Sequence, residues 1–456
     1  MKETKKLGLA AVLLSGIGCI IGSGIFGSLS TVVNDIGAGV FYALIVGVII
    51  VISKSLAKMF TIAALPVGGS DFVHATKLIH PAVGAFVAIE NFLEPLMVAL
   101  YGVLFADYFA VLFPDLNISS TAIGVTLLLI FTCLAWFGNK VSIMSGNAMV
   151  VVLLIAIGLY VFLGLPNLDP ANISFVSVIK PGISMTAIAA AGGVLSSSLS
   201  GALTIAQLAD DIENPRKNIP LGLILSPVIV AVLYMLMAVV TVGVIPSASV
   251  ESLAQVAGNF MSPVLMTFFI VGGPICGVLT SLIPIALGCM ARMSAAADCK
   301  LLPAVFTKKN KYGVPPVCLA ITMGLSIIFC ATGASFGLLM EVYSFVNTLV
   351  NIPVALAPIF AYKMYPKCCQ NSTVRMNRTT AIGITAFATA LAVYFAVVLA
   401  VTIPVPILIG IVVFFVVAAV YYVLRVNYLK KQGIDLVAEL KAPYQPWEEM
   451  EASYKA

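Results

Sequence analysis

Long stretches without a charged residue are the feature that most limits how this chain can fold. Five of them contain 28 to 46 residues each, at 7–34, 181–209, 218–250, 252–291 and 379–424. A helix crosses the hydrocarbon core of a bilayer with about 20 apolar residues, so each stretch holds at least one span. Only 9% of the residues are charged, against about 25% in soluble domains, which excludes an ordinary soluble enzyme. We predict an all-α polytopic membrane protein embedded in a lipid bilayer.

The apolar segments divide into twelve predicted membrane spans. The longest stretch holds two of them, because Pro404-Val405-Pro406 interrupts any continuous helix. The first segment is too long for the apolar region of a signal peptide, so we expect it to remain as span one. In chain order the spans are 7–33, 36–64, 81–113, 118–137, 141–165, 183–211, 219–246, 262–295, 315–333, 337–362, 379–403 and 406–426.

The basic residues divide unevenly between the two sides that these spans define. Of the 24 Lys and Arg residues, 23 fall on the side that carries both termini, and only Lys180 falls on the other. Because loops rich in Lys and Arg stay in the cytoplasm, we predict cytoplasmic termini and a multi-pass protein of the cell (plasma) membrane. The net charge of +5 follows from this topology and does not indicate a nucleic acid partner. Residues 427–456 are polar and are predicted to form a cytoplasmic tail with room for a short surface helix.

Glycine and serine interrupt the apolar pattern in spans one and six. Five glycines lie within residues 16–27, including Gly22-Ser23-Gly24, and four serines with three glycines lie within 192–201. Each glycine costs a helix about 1 kcal/mol relative to alanine. We therefore predict a break in both spans near the middle of the membrane, where unwound backbone must be buried or line a cavity. Close helix packing through small residues is the alternative explanation.

Two breaks in corresponding places of two halves are typical of the substrate site of a secondary transporter. The amino end of a half-helix offers free N–H groups and a positive dipole to a carboxylate. Carbonyl groups just before a break can accept hydrogen bonds from an ammonium group. A site that holds both groups predicts an amino acid as the substrate.

At these residues the chain resembles the amino acid–polyamine–organocation (APC) superfamily. Residues 20–26 are similar to its first-span signature, and residues 208–220, with an acidic pair before Asn214-Pro215-Arg216, are similar to its span-six exit. Pro66-Val67-Gly68-Gly69 resembles the turn between its spans two and three. The resemblance implies a membrane domain over 1–426 and a tail over 427–456. In that domain, two inverted five-helix repeats cover about 7–165 and 183–362, and two extra helices cover about 379–426.

The resemblance also implies positions for the substrate. The carboxylate would meet the N–H groups of Ser23 and Gly24, and the amine would meet the carbonyl of Ile20 and carbonyls near Ser197 and Ser200. The implied substrate-binding residues are Ile20, Ser23, Gly24, Ile25, Ser197, Ser200 and Gly201. Many relatives carry an aromatic gate where this chain has Ser197, so either a bulkier substrate or another aromatic residue would close the site.

For the coupling ion the sequence leaves a proton, Na⁺ and exchange open. Several relatives carry a lysine in span five, where this chain has Leu153. A sodium site in this fold would use carbonyls near Gly18 and Ile21 with the hydroxyls of Thr280 and Ser281. Hydrogen bonding of these hydroxyls to the preceding helical turn is the structural alternative.

Two carboxylates in span three offer a second route to coupling. Glu90 and Glu94 are four residues apart and lie on one helix face. Carboxylates within a membrane are costly, and these two are candidates to carry a proton or to favour a cationic substrate. A structural pair neutralised by Lys54 or Lys58 is the alternative. Arg292, at the end of span eight, is expected to extend to the membrane surface as an anchor.

The residues together predict an amino acid permease, a secondary transporter that works by alternating access. A carrier of polyamines or cationic amino acids is the runner-up, and a membrane-embedded enzyme or a channel fits less well. The chain has no nucleotide-binding Gly-x-x-x-x-Gly-Lys-Ser/Thr loop and only two histidines, so neither ATP-driven pumping nor a metal site is predicted. We expect no catalytic residues and no resident cofactor beyond a coupling proton or Na⁺. The oligomeric state stays open.

Overall fold

The computed structural model describes residues 7–22, 24–137, 142–173, 183–246 and 250–454. Every regular element in these ranges is helical, which confirms the predicted all-α class. The α-helices are α1 (Leu9–Ile21), α2 (Gly24–Ile36), α3 (Val40–Ala64), α4 (Ser70–His74), α5 (Pro81–Ile89), α6 (Pro95–Leu112), α7 (Ser120–Trp136), α8 (Ser142–Gly164), α9 (Pro170–Ile173), α10 (Met185–Leu199), α11 (Pro215–Val244), α12 (Leu253–Ala257), α13 (Pro263–Ile270), α14 (Cys276–Asp298), α15 (Pro316–Ala331), α16 (Phe336–Ala355), α17 (Ala357–Met364), α18 (Pro366–Gln370), α19 (Arg378–Thr402), α20 (Val405–Lys431), α21 (Leu436–Lys441) and α22 (Gln445–Ser453). A π-helical turn, Ala75–Ile79, precedes α5, and a 3-10 helix, Ser200–Asp211, follows α10.

Many of these helices suit a membrane in length and polarity. Within the described ranges, nine helical segments are long and apolar enough to cross it, and α1 with α2 forms a tenth as a bent pair. The polytopic membrane architecture is thereby confirmed. Two further apolar helices, α7 and α15, have only 17 and 16 residues. The count of twelve spans therefore stays a prediction.

Span one is broken where its glycines predict. Helix α1 ends at Ile21, α2 begins at Gly24, and the two axes differ by 43°. Gly22 sits between them with φ 18° and ψ −148°, outside the regular regions of the backbone map. A residue without a Cβ tolerates such a conformation at little cost, which explains the glycine at this point.

Span six differs from the prediction of a mid-membrane break. Helix α10 continues through Gly192 and Gly193, and the chain changes only at Ser200, where it tightens into the 3-10 helix. The hydroxyl of Ser196 donates to the Gly193 carbonyl at 2.7 Å, which keeps the helix intact. A Cβ on Gly192 would lie 2.5 Å from Val46 of α3, so this glycine permits close packing of α10 on α3. The packing alternative is correct for Gly192.

Both ends of the described chain lie on one face of the helix bundle, which we call the terminal face. Leu7 pairs with Ile212 after the 3-10 helix, and its carbonyl accepts from the Glu213 N–H at 2.9 Å. At the other end α20 runs to Lys431, and α21 and α22 then pack on the same face. The residues after 431 are thus docked on the protein, a tighter arrangement than a surface tail.

His74 lies beneath this docked segment. Its ring stacks on Trp447 with 5.4 Å between centroids, and its Nε2 lies 2.9 Å from the Leu65 carbonyl oxygen. Burial lowers the pKa of His74 to about 4. Lys58 adds to this lowering, while the carbonyl and Asp71 oppose it. The neutral imidazole is therefore the form that fits under Trp447.

We predict that acid weakens the docking of Trp447. The contribution of neutral His74 is fully present above its ordinary pKa of about 6.5 and is lost as the pH falls toward 4. At pH 5 the loss amounts to about 2 kcal/mol, from 1.36 kcal/mol per pKa unit. The chain has two tryptophans, so in a Trp136→Phe variant the fluorescence of Trp447 reports its exposure. Acrylamide quenching should rise between pH 7.5 and 5.

His74→Phe is the control for this experiment, because it keeps an aromatic ring under Trp447 and removes the titrating group. Its quenching should not depend on pH in this range. Equal pH dependence in both proteins, or none in either, would contradict the assignment to His74.

Candidate functional site

The break in span one presents a buried helix start. Gly24, Ile25 and Phe26 at the beginning of α2 are all buried. The first N–H groups of a helix have no acceptor within it, and the helix dipole makes this end positive. The start of α2 is therefore suited to an anion such as a carboxylate. Ser23, the other predicted carboxylate contact, lies outside the described residues, so its role stays a prediction.

Helix α10 faces this helix start with serines. A Cβ on Gly24 would lie 3.3 Å from the Ser198 hydroxyl oxygen. Ser198 and Ser28 are joined by a 2.9 Å hydrogen bond, and the Ser28 hydroxyl also donates to the Gly24 carbonyl at 2.7 Å. A hydroxyl has one proton, so Ser198 is the donor to Ser28. The start of α2 in span one and helix α10 of span six thus meet at this point.

The hydroxyls of Ser197 and Ser200 differ in whether a hydrogen bond within the protein already occupies them. The Ser197 hydroxyl is buried and has no hydrogen-bond partner within the described part of the chain. The Ser200 hydroxyl donates to the Ser196 carbonyl at 2.6 Å, and the Ser200 N–H donates to the Ser197 carbonyl. An unpaired buried hydroxyl costs about 1–3 kcal/mol, so a ligand that paired with the Ser197 hydroxyl would recover this cost, whereas Ser200 is already paired.

The amine side of the predicted site is closed by a tyrosine and a glycine. The Tyr234 hydroxyl of α11 donates to the Ile20 carbonyl at 3.0 Å and is fully buried. Gly201 packs so closely on α1 that a Cβ there would overlap the carbonyl of Cys19. Sequence reasoning did not select Tyr234, because a lone aromatic residue in an apolar span carries no pattern. The Ile20 carbonyl keeps one lone pair for an ammonium group.

The two hydroxyls proposed for a sodium site differ in their surroundings. Ser281 is buried, and its oxygen lies 2.7 Å from where a Cβ on Gly22 would be, which places it beside the break. Thr280 donates to the carbonyls of Cys276 and Gly277 at 2.9 and 3.1 Å, the local bonding that the alternative predicted. The Gly18 carbonyl accepts the Gly22 N–H at 3.2 Å, and Ile21 is fully buried.

The two carboxylates of span three lie at a second irregularity. Helix α5 ends at Ile89, a 3-10 turn covers Glu90–Phe92, and α6 begins at Pro95. Glu94 forms an ion pair with Arg292 of α14 at 3.4 Å, and Arg292 Nε also donates to the Asn91 side chain. Arg292 thus binds the irregular turn instead of extending to the membrane surface, and the prediction of a surface anchor is wrong.

The lysines of span two have other partners. Lys58 pairs with Asp71 at 2.8 Å, and Lys54 donates to the Asn347 side chain at 3.2 Å. The alternative, a structural pair neutralised by Lys54 or Lys58, does not hold for Glu94, which forms its ion pair with Arg292. Glu90 is buried and forms no ion pair within the described ranges. Arg292, Lys58 and Lys54 nevertheless lie near enough to interact electrostatically with Glu90, so the two carboxylates differ in direct pairing and share their nearby cations.

Comparison with known proteins agrees with this architecture. The chain is 27% identical over 273 residues to an uncharacterized protein of Methanocaldococcus jannaschii, which covers 57% of this chain and 61% of that protein. It is 24% identical over 379 residues to a methylthioribose transporter of Bacillus subtilis, covering 78% and 80% of the two chains. It is 23% identical over 393 residues to the vacuolar cationic amino acid transporter 4 of Arabidopsis thaliana, covering 79% and 64%.

The chain thus spans less than two thirds of the length of the first and third of these relatives. The two relatives with an assigned activity are named as transporters. The sequence model of a family described as amino acid permease matches residues 7–425, nearly the whole chain. The resemblance of the span-one and span-six motifs to the APC superfamily is confirmed by this match. The protein belongs to the amino acid permease family.

Proposed function

We propose that this protein is a secondary transporter that binds an amino acid at the break between α1 and α2. The observation that carries the proposal is the buried start of α2, whose first N–H groups have no acceptor within the helix, facing α10 at Ser198, next in sequence to the unpartnered Ser197. The substrate carboxylate binds the N–H groups of Gly24 and Ile25. Its ammonium group binds the free lone pair of the Ile20 carbonyl. Alternating access then proceeds by movement of one repeat against the other around this point.

The substrate class that we propose is a single amino acid. Polyamines and other multiply charged cations require several uncompensated carboxylates. In the turn of span three, Arg292 already forms an ion pair with Glu94. Glu90 is then the one carboxylate of this turn without an ion pair in the described structure. A carrier of cationic amino acids stays the second candidate, because one relative is named for such substrates and Glu90 offers one negative charge. The relatives act on chemically different substrates by name, so the side chain recognised is open to direct test.

The proposed orientation places the terminal face in the cytoplasm of the cell. Loops with Lys and Arg residues lie together on this face, as the contacts of Arg216, Lys300 and Lys367 with the docked C-terminal residues demonstrate. Cytoplasmic loops carry an excess of such residues. We assign the protein to the plasma membrane, with both termini cytoplasmic and with the two repeats at about 7–165 and 183–362.

We predict that Ser197→Ala weakens substrate binding without destabilising the empty protein. The hydroxyl satisfies nothing in the described structure, so its loss should leave the melting temperature unchanged or higher. A lost hydrogen bond of about 1 kcal/mol corresponds to roughly five-fold weaker binding. A thermal-shift screen of the twenty amino acids and of polyamines identifies the ligand, and a titration then gives its Kd.

Ser196→Ala is the matched control, since its hydroxyl is used within the helix at 2.7 Å and is fully buried. Its Kd for the ligand should equal that of the wild type. If no amino acid is bound and none is taken up by proteoliposomes under any ion gradient or in counter-exchange, the proposed function is wrong. Equal Kd values for Ser197→Ala and the wild type would refute the assigned position.

A second prediction concerns the contact between the two candidate spans. Gly201→Ala places a methyl group against the backbone of Cys19 and Ile20, which cannot move aside as a flexible side chain does. We expect a destabilisation of about 1–3 kcal/mol, as for an overpacked core, with loss of amino acid binding. Gly324→Ala in α15 is the control, because its Cβ has open space. A Gly201→Ala protein with normal melting temperature and binding would show that this contact is dispensable.

Coupling is proposed to use a proton on Glu90. The side chain is buried and lacks the ion pair that fixes Glu94. Glu90→Gln mimics the protonated form and should abolish the stimulation of uptake by an inward proton gradient while counter-exchange continues. Asp115→Asn, in an exposed loop, should keep full stimulation. Unaltered stimulation in Glu90→Gln would contradict the proposal. Uptake driven by Na⁺ and lost in Ser281→Ala would assign coupling to the hydroxyl beside Gly22 instead.

A further inference from the structure

The residues after α20 form a structured segment, which we call the C-terminal segment and define as residues 434–454. It contains α21 and α22 and lies on the terminal face. None of its residues belongs to the substrate site proposed above. Its polar composition predicts a surface tail, yet it contains one of the most deeply buried aromatic side chains in the described structure, Trp447 at 1% exposure.

Trp447 anchors α22 in an aromatic pocket. It stacks on His74 and meets Tyr365 and Tyr444 edge-on, with ring centroids 5.8 and 5.0 Å away. Its indole N–H donates to the Pro66 carbonyl at 3.3 Å. An aromatic side chain that is buried on all sides with its N–H paired is the usual form of an interface anchor.

Polar contacts fix the end of α22 to two other loops. The Glu451 carboxylate accepts from the backbone N–H groups of Lys367 and Cys368 at 2.9 and 2.7 Å, at the start of α18. Arg216, at the start of α11, donates to the Tyr454 hydroxyl at 2.6 Å. Hydrogen bonds that involve a charged group are about twice as strong as neutral ones.

The α21 end of the segment binds different elements. Leu436 and Leu440 are buried against Leu429 at the end of α20. Lys77, in the π-helical turn before α5, donates to the Ala442 carbonyl at 2.8 Å. Lys300, just after α14, pairs with Glu439 at 2.7 Å, although this pair is exposed and adds little.

These contacts join elements from both proposed repeats. Pro66, His74 and Lys77 belong to the first, and Arg216 and Lys300 belong to the second. In alternating access, one repeat or bundle moves against the other, so a contact between parts that move is broken in one of the states. Interactions made in one state alone shift the equilibrium toward it. The C-terminal segment is thus placed to stabilise the arrangement of the repeats in which Trp447 is docked.

The segment is also packed in a way that permits release. A cavity of about 250 Å³ lies between α21 and the bundle, with Phe72, Thr76, Lys77, Cys299, Leu440 and Tyr444 among its lining residues. Elements with incomplete packing and exposed bonds open at lower free energy than the core. The cavity thus leaves α21 incompletely packed on the bundle, although Leu436 and Leu440 are buried.

We propose that the C-terminal segment is an autoinhibitory latch that holds the repeats in the arrangement in which Trp447 is docked. Undocking of Trp447 releases the two repeats and speeds each conformational cycle. The latch acts on the rate of interconversion and not on the substrate contacts. This inference rests on the alternating-access function proposed above.

The test compares single substitutions in the full chain reconstituted in liposomes. Trp447→Ala removes the anchor, and Glu451→Gln weakens the attachment to α18 without touching the aromatic pocket. Both should raise the initial rate of amino acid counter-exchange three-fold or more. Glu449→Gln is the control, because Glu449 is an exposed glutamate of the same helix. In the Trp136→Phe background, Glu451→Gln should also increase acrylamide quenching of Trp447.

The outcomes separate the two proposals. A wild-type protein that neither binds nor exchanges an amino acid overturns the transport function and the latch with it. Normal wild-type exchange with no acceleration in Glu451→Gln, despite increased quenching of Trp447, overturns the latch alone. If Trp447→Ala loses ligand binding through misfolding, the result for Glu451→Gln decides.

Discussion

Hydrocarbon cannot satisfy a backbone hydrogen bond, and the rest of this structure depends on that constraint. A broken helix in a bilayer must have its free N–H and C=O groups covered by protein or by a ligand. The break after Ile21 meets this requirement on three sides, with Ser198 of α10, Tyr234 of α11 and Ser281 of α14 packed around it. The first N–H groups of α2 have no acceptor within the helix, and a carboxylate is the group that suits them. The proposed substrate site thus consists of the backbone groups that the break leaves without a partner within the helix.

The sequence predicts the break in span one well and the geometry of span six poorly. At Gly22 the glycine ends α1 within a glycine-rich stretch, so the break can be predicted from local composition, although the approach of Ser281 to the same glycine cannot. At Gly192 the glycine serves the approach of α3, whose contact residue Val46 is distant in the chain. Glycine has the same appearance in both cases. Only the neighbouring helix distinguishes a break from a close packing contact.

For the charged residues, too, the local sequence predicts the position on the helix but not the partner on a distant helix. The spacing of Glu90 and Glu94 places them on one face, and both do lie at one turn. The sequence offered Lys54 and Lys58 as partners and did not indicate Arg292, because the spacing of two residues on one helix does not show which helix packs beside them. Arg292 is the partner of Glu94, about 200 residues away, since α14 packs beside the turn. The docking of Trp447 against Pro66, 381 residues apart, escapes sequence reasoning for the same reason.

The most direct test of the central claim is an experimental structure with the amino acid that the thermal-shift screen identifies. The substrate carboxylate should lie within hydrogen-bond distance of the Gly24 and Ile25 N–H groups, with the Ser197 hydroxyl as a further contact. The ammonium group should lie near the Ile20 carbonyl. An amino acid bound away from the α1–α2 break, with the start of α2 covered by protein alone, would contradict it.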